Sequence, residues 1–174
     1  HLEQGLWAGY RESLQMARQL ASLSGASFDL VAGEEPELPC AVQFSLPAAE
    51  QMAVLVIDDN VDTLQLFQRY LAGSRYPFIG TRDPKQALAL IEGLVPQIIV
   101  LDVMLPGVDG WDLLGRLRAH PKTRGVPLII CSILPEEQLA LMLGAAAFIR
   151  KPVNRVTFLS ALDRQAELLR RESG

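Results

Sequence analysis

From residue 54 onward, the ends of four apolar runs carry side chains that can do chemistry. Asp58 and Asp59 follow the first run, and Asp102, Ser132 and Lys151 end later ones. In an open parallel sheet, ligands bind outside the carboxyl ends of the strands, where the winding reverses direction. If the runs are parallel strands, these five side chains converge on one edge of the sheet.

Three carboxylates gathered at one edge repel one another, by about 4 kcal/mol per pair at about 4 Å with an effective dielectric near 20. A cation relieves that repulsion, and oxygen ligands with room for water suit Mg²⁺ better than a calcium cage. Lys151 adds a positive charge and Ser132 a hydroxyl. Such a pocket is able to hold a phosphoryl group on a carboxylate nucleophile. Each residue also has an ordinary explanation, such as a helix cap or a loop lysine, so the prediction depends on the whole set.

The elements that must position these residues alternate along the chain. Short continuous apolar runs alternate with longer segments of helical periodicity, which is typical of βα repeats whose strands are covered on both faces. We expect five strands, at about 54–57, 78–79, 98–101, 128–131 and 145–149. Five helices follow them, and Asp83, Pro84 and Gln86 form a start signal with a capping box for the second helix. The fourth helix is expected from Pro135 to Leu143.

Residues 1–50 show a different pattern. A helix is expected over about 12–23, followed by two strands with period-two alternation, marked by Phe28 and Leu30 and then by Val42 and Phe44. One helix and a hairpin bury too little surface to form a core alone. We therefore divide the chain into an appendage, residues 1–50, and an α/β domain, residues 51–174, and expect the appendage to pack on that domain or on a second chain.

Composition narrows the classes of function. Apolar residues make up 49% of the chain, the formal net charge is −4, and no apolar run reaches the length needed to span a bilayer. Neither nucleic-acid binding nor membrane contact by this fragment is expected. Cys40 and Cys131 lie in apolar runs, typical of buried thiols in a reducing cytoplasm. The start at His1, without a basic-then-apolar leader, indicates a fragment rather than a secreted precursor.

Four segments together resemble the signature segments of response-regulator receiver domains: VLVIDDN at 54–60, IIVLDVMLPGVDG at 98–110, Ser132, and FIRKP at 148–152. The likeness covers residues 53 to about 170. It implies a flavodoxin-like, doubly wound five-stranded parallel sheet in the order 2-1-3-4-5. It also implies a phosphorylated Asp102 and a Mg²⁺ ion bound by Asp59, Asp102 and the Met104 carbonyl, with Asp58 assisting through water.

The same resemblance implies that Ser132 and Lys151 contact the phosphoryl oxygens and that Phe148 is the aromatic that turns inward with Ser132; an ordinary core aromatic is the alternative. The implied phosphoryl donor is a phosphohistidine of a histidine kinase or histidine phosphotransfer protein. The resemblance is also compatible with a homodimer of this chain. The implied role is signalling rather than catalysis of a separate reaction. Alternatives are a pseudo-receiver that binds partners without phosphorylation, a phosphatase, which lacks its second aspartate because Asn60 stands there, and a flavin-binding protein.

Two features depart from the receiver pattern. Ile133 replaces the very small residue usual after Ser132, so hydrolysis of a phosphoryl group by water is expected to be slow. The stretch from Ser132 to Gly144 is about one helical turn shorter than usual, which puts a standard output or dimer interface in doubt. Residues 14–25, the strand at Phe28 and residues 41–47 resemble more faintly the end of a histidine-kinase ATP-binding domain, as in a hybrid kinase, without its nucleotide-binding motifs.

Overall fold

The computed structural model describes residues 15–19, 27–35, 38–45 and 50–172. The chain divides into two units, residues 1–49 and 50–174. Among the described residues, no helix is both long and apolar enough to cross a bilayer.

The first unit contains an antiparallel strand pair. β1 (Ser27–Glu35) pairs with β2 (Leu38–Ser45), and the partners include Phe28 with Phe44 and Leu30 with Val42. These are the alternating apolar positions from which the hairpin was predicted. Residues 15–19 are helical, and the remainder of the helix predicted at 12–23 lies outside the described residues.

The second unit alternates strands and helices throughout. Its strands are β3 (Val54–Ile57), β4 (Phe78–Thr81), β5 (Ile98–Leu101), β6 (Leu128–Ser132) and β7 (Ala147–Arg150). Its helices are α1 (Val61–Leu71), α2 (Pro84–Gly93), α3 (Gly110–Ala119), α4 (Glu137–Met142) and α5 (Arg155–Glu172). The strands form one parallel sheet in the order β4-β3-β5-β6-β7. Counted within this unit, that is the predicted order 2-1-3-4-5, and the doubly wound fold is confirmed.

Two apolar layers cover the sheet. On one face, Leu55 and Ile57 of β3 belong to a buried cluster that includes side chains from α2, α3 and α4. On the other face, Val54 and Val56 belong to a cluster that includes side chains from α1 and α5. All four residues of β3 are buried, as are all of β5 and β6. Continuous burial explains why these strands appear in the sequence as unbroken apolar runs.

The helix starts and ends depart from expectation in two places. Asp83 caps α2 by accepting a hydrogen bond from the Lys85 amide, but Gln86 does not complete a capping box; its side-chain oxygen instead accepts from the Thr81 hydroxyl at 2.6 Å. Thr81 in turn accepts from the Asp83 amide. α4 begins and ends inside the predicted range and spans six residues. Only one of those six, Ala140, is buried, so packing stabilises little of the apolar segment around it.

Candidate functional site

Asp58 and Asp59 lie at the carboxyl end of β3, directly before α1. The Asp58 side chain is buried, and its Oδ1 accepts a hydrogen bond from the Asn60 amide at 3.0 Å. Asn60, not the acidic pair, caps α1 by accepting from the Asp62 and Thr63 amides. Helix capping therefore does not explain the two aspartates. Because Asn60 caps α1, neither carboxylate is needed for capping, and both can bind a ligand or an ion.

Asp102 follows β5, the strand next to β3. Its amide donates to the Ile57 carbonyl at 2.9 Å, which continues the pairing of the two strands past their ends. Its side chain is 8% exposed, and Oδ1 accepts from the Met104 amide at 2.9 Å. That bond fixes the carboxylate within its own loop. Asp102 therefore lies beside Asp58 because their two strands are neighbours in the sheet.

The loop after Asp102 depends on two glycines. Gly107 has a φ of +73°, a conformation that side chains disfavour. Gly110, the first residue of α3, lies against the Val103 backbone so closely that an added Cβ would sit 2.2 Å from the Val103 carbonyl oxygen. No larger residue fits without moving the backbone next to Asp102. Gly110 directly follows the Asp109 cap of α3.

Lys151 joins the two buried aspartates. Its Nζ donates to Asp58 Oδ2 at 2.7 Å and to Asp102 Oδ2 at 2.5 Å, and its side chain is 16% exposed. Burial alone lowers the pKa of Lys151, but the hydrogen bonds and charges of the two carboxylates outweigh it, and the pKa is raised. Burial raises the pKa of Asp58 despite the opposing effect of Lys151. The lysine is therefore a fully charged cation that bridges two carboxylates.

Asp59 completes a group of three carboxylates. One oxygen from each of Asp58, Asp59 and Asp102 lies within 4.8 Å of the others. Three carboxylates against the single Lys151 ammonium leave a formal surplus of two negative charges. Oxygen-only ligands at this separation fit one hard divalent cation such as Mg²⁺. Within residues 50–172, the Asp59 carboxylate makes no hydrogen bond or ion pair, so its oxygens are available to such an ion.

Ser132 and Phe148 lie in β6 and β7, and neither has a described hydrogen bond to the three aspartates. Ser132 is fully buried at the end of β6, and its Oγ accepts from the Leu134 amide at 3.3 Å. The Lys151 amide donates to the Ser132 carbonyl at 3.0 Å, which places the two residues on adjoining strands. Phe148 is partly buried and packs against the core cluster on the α4 side of the sheet. Both the switch and the ordinary-core interpretations of Phe148 are compatible with this position.

Ile133, which follows Ser132, is 57% exposed. Beside Lys151 lies a cavity of about 370 Å³, bounded by Phe67, Ile133, Lys151, Pro152 and Val153 among others. The neighbouring Cys131 is buried, and burial raises the pKa of its thiol to about 12, so it is inert as a nucleophile. Its burial in a strand agrees with the sequence expectation.

The second unit matches a known protein family over most of its length. The family model described as "Response regulator receiver domain" matches residues 54–163. The chain belongs to the response regulator receiver family. It is thus a two-component signalling module, with the sheet order and strand-end acidic cluster of that family.

Relatives by sequence include an uncharacterized 14.6 kDa protein of Leptolyngbya boryana, 36% identical over 107 residues that cover 60% of this chain and 82% of that protein. Another is the response regulator PleD of Caulobacter vibrioides, 33% identical over 106 residues. That match covers 59% of this chain but 23% of PleD, so the shared part is a minor fraction of the longer relative.

Similar solved structures include the signal receiver domain of a signal transduction histidine kinase from Syntrophus aciditrophicus. It is 26% identical with a TM-score of 0.62, and the match covers 69% of this chain and 93% of that chain. A CheY-like response regulator receiver domain from Methanospirillum hungatei is 25% identical with a TM-score of 0.63, and the match covers 70% and 98% of the two chains.

Proposed function

We propose that this receiver accepts a phosphoryl group on Asp102 from a phosphohistidine of a histidine kinase or histidine phosphotransfer protein. The observation that carries the proposal is the position of Asp102. Its carboxylate is almost fully buried, bonded to Lys151 at 2.5 Å, and part of a cluster whose negative charge Lys151 does not balance. Buried charge surplus of this kind destabilises a fold and is typical of functional sites.

In the proposed transfer, an Asp102 carboxylate oxygen attacks phosphorus. The new O–P bond forms as the N–P bond to the donor imidazole breaks, and the bonding electron pair returns to that nitrogen. Lys151 exchanges its bond to Asp102 for one to a phosphoryl oxygen, and the Ser132 hydroxyl donates to another. Mg²⁺ would be held by Asp59, Asp102 and the Met104 carbonyl, with Asp58 assisting through water. Bound there, it would offset the charge of the phosphoryl oxygens.

The added charge of the aspartyl phosphate is the proposed signal. Movement of Ser132 toward the phosphate and an inward turn of Phe148 would link the site to the β7 edge of the sheet. We further propose that this occurs in the cytoplasm, that homodimers can form, and that residues 1–50 end the ATP-binding domain of a hybrid histidine kinase. The β1–β2 hairpin supports the last point.

Incubation with Mg²⁺ and acetyl phosphate tests the proposal directly. We expect intact-mass spectrometry to show a gain of one phosphate in the wild type and none in Asp102→Asn. Asp109→Asn is a matched control, because Asp109 lies in the same loop and only caps α3, a task that asparagine performs as well. An unmodified wild type, or an Asp102→Asn variant that still gains phosphate, contradicts the proposal.

A pseudo-receiver that binds partners without phosphorylation is the second candidate. Two observations favour it: the exposed bulk of Ile133 directly after Ser132, and an α4 of only six residues. The same incubation separates the two candidates, since a pseudo-receiver gains no phosphate at any donor concentration. Its amide NMR spectrum would also be unchanged by Mg²⁺ and the phosphodonor together.

A further inference from the structure

The loop that carries Lys151 is tied to α1 by a tyrosine. The Tyr70 hydroxyl donates to the Val153 carbonyl at 3.1 Å, across 83 residues of sequence. In return, Arg155 Nε, at the start of α5, donates to the Tyr70 carbonyl at 3.0 Å. One bond joins α1 to the β7–α5 loop and the other joins the first residue of α5 to α1, so α1 is linked to both the loop and the helix that follows it.

Aromatic packing fixes where the Tyr70 hydroxyl lies. Phe67 of α1 and Phe158 of α5 stack with ring centroids 4.2 Å apart and planes at 7°. The Tyr70 ring is tilted against both, at centroid distances of 6.2 and 6.3 Å. Because three rings brace one another, the phenol oxygen has little freedom to move away from the loop.

The loop has few other attachments between Lys151 and α5. The Lys151 amide is bonded to the Ser132 carbonyl, and the Asn154 side chain accepts from the Thr157 amide at the start of α5. Between these two ends, Pro152 and Val153 border the cavity of about 370 Å³, and the partly buried Val153 side chain also packs against the core cluster between α1 and α5. Among the described hydrogen bonds, the Tyr70 bond is the one that ties this part of the loop to α1 and fixes the position of its backbone.

We propose that Tyr70 is a positioning residue for Lys151: its bond to the Val153 carbonyl holds the β7–α5 loop so that the Lys151 ammonium reaches both buried aspartates. The bond acts two residues from Lys151, on the far side of Pro152. Without it, the loop moves into the neighbouring cavity and the ammonium meets both carboxylates for a smaller fraction of the time. The consequence for phosphorylation rests on the proposed function; the consequence for Lys151 does not.

Tyr70→Phe tests this with the ring retained, and Tyr76→Phe is the matched control. The Tyr76 hydroxyl donates to Asp163 of α5 at 2.6 Å, so both variants remove one tyrosine hydrogen bond. Only Tyr70 bonds to the loop that carries Lys151. We expect Tyr70→Phe to slow phosphorylation by acetyl phosphate about fivefold, as the loss of one hydrogen bond predicts, and Tyr76→Phe to leave that rate unchanged.

A second measurement reports on the ammonium itself. The chain has three lysines, Lys85, Lys122 and Lys151, so selective ¹⁵N-lysine labelling gives a simple spectrum in which Lys151→Arg assigns the Lys151 signal. We expect Tyr70→Phe to speed hydrogen exchange of the Lys151 ammonium and shift its signal, while Tyr76→Phe changes neither. Arg155→Gln, which removes the return bond, should produce a smaller change of the same kind.

The outcomes separate the two proposals. A wild type that gains no phosphate, with a Lys151 signal that responds to Tyr70→Phe, overturns the proposed function and supports the positioning role. Equal behaviour of the Lys151 ammonium in Tyr70→Phe and Tyr76→Phe overturns the positioning role, whatever the phosphorylation rate. A slower phosphorylation rate in both variants, with the ammonium unchanged, also overturns it, because such a result reports a general loss of stability.

Discussion

Two charged clusters lie at opposite ends of the strands, and their balance of charge differs. At the carboxyl ends, the group of three carboxylates faces the single Lys151 ammonium, which bonds to Asp58 and Asp102. Before the amino end of β4, Arg75 and Tyr76 both donate to one carboxylate, that of Asp163, at 2.7 and 2.6 Å. In the first cluster one cation thus bonds two of three carboxylates, whereas in the second a cation and a neutral donor both bond a single carboxylate.

The pKa values of the two clusters show what that difference means. Burial raises the pKa of Asp58, and the nearby Lys151 does not reverse the shift. Burial also acts to raise the pKa of Asp163, but the hydrogen bonds from Tyr76 and Arg75 outweigh it, and that pKa is lowered. The Asp163 cluster therefore stabilises the fold, while the cluster around Asp58 is held by the fold at a cost. A site kept under such strain is the better candidate for function.

Removal of the cation from each cluster should have the largest effect on stability. Lys151→Met leaves two buried carboxylates without their partner, and we expect it to lower the free energy of unfolding by about 3 kcal/mol in metal-free buffer. Arg75→Met leaves Asp163 half exposed and still bonded to Tyr76, so a loss of no more than about 1 kcal/mol is expected. Urea unfolding measures both. Equal losses of unfolding free energy in Lys151→Met and Arg75→Met would show that the two cations contribute equally to stability, contrary to the contrast between the clusters.

Neutralising one carboxylate in each cluster should change stability in opposite directions. In metal-free buffer, Asp59→Asn relieves repulsion and should raise the free energy of unfolding by about 1 kcal/mol. Asp163→Asn weakens two charge-supported hydrogen bonds and should lower it by about the same amount.

Addition of Mg²⁺ sharpens this test. The wild type should gain stability as the ion binds the folded state, while Asp59→Asn gains much less. Thermal unfolding with and without Mg²⁺ measures the difference. Two outcomes would contradict an ion site at the acidic cluster. One is a lower free energy of unfolding for Asp59→Asn than for the wild type in metal-free buffer. The other is a Mg²⁺ stabilisation of the Asp59→Asn variant as large as that of the wild type.

The difference between the clusters also marks what the sequence was able to predict. Asp58 and Asp102 directly follow apolar runs, and Lys151 follows another run after Arg150. The carboxyl ends of all the parallel strands lie at one edge of the sheet, so these residues were expected to be close together. The pattern of burial along each strand is local, so the five strands and the edge they share were predictable from short stretches of sequence. The cap of α1 also depends on adjacent residues only, since Asn60 accepts from the Asp62 and Thr63 amides.

Partners brought together by helix packing were not predictable in this way. Tyr76 and Asp163 are 87 residues apart, and Tyr70 and Val153 are 83 apart. The apolar periodicity of α1 and α5 shows which face of each helix is buried, but it does not show which distant residue Tyr70 or Asp163 bonds. Gln86 shows the same limit at short range. Its position matches a capping box, but the nearby Thr81 hydroxyl offers another bond, and the sequence pattern alone does not decide between the two.

The smallest expected effect is on the pH dependence of stability, where the two clusters should again oppose each other. The pKa of Asp163 is lowered from the usual 3.8, so its contribution to stability is complete above that value and is lost as the pH falls through the folded-state pKa. The pKa of Asp58 is raised from 3.8, so its contribution is present below that value and is lost as the pH rises through the folded-state pKa. On acidification from neutral pH in a chelating buffer, the wild type should therefore lose stability relative to Asp163→Asn and gain it relative to Asp58→Asn. Thermal unfolding of the three proteins between neutral and acidic pH measures both differences from the wild type. If acidification changes the two differences in the same direction, the balance of burial and hydrogen bonding is the same in both clusters, and the contrast between them is wrong.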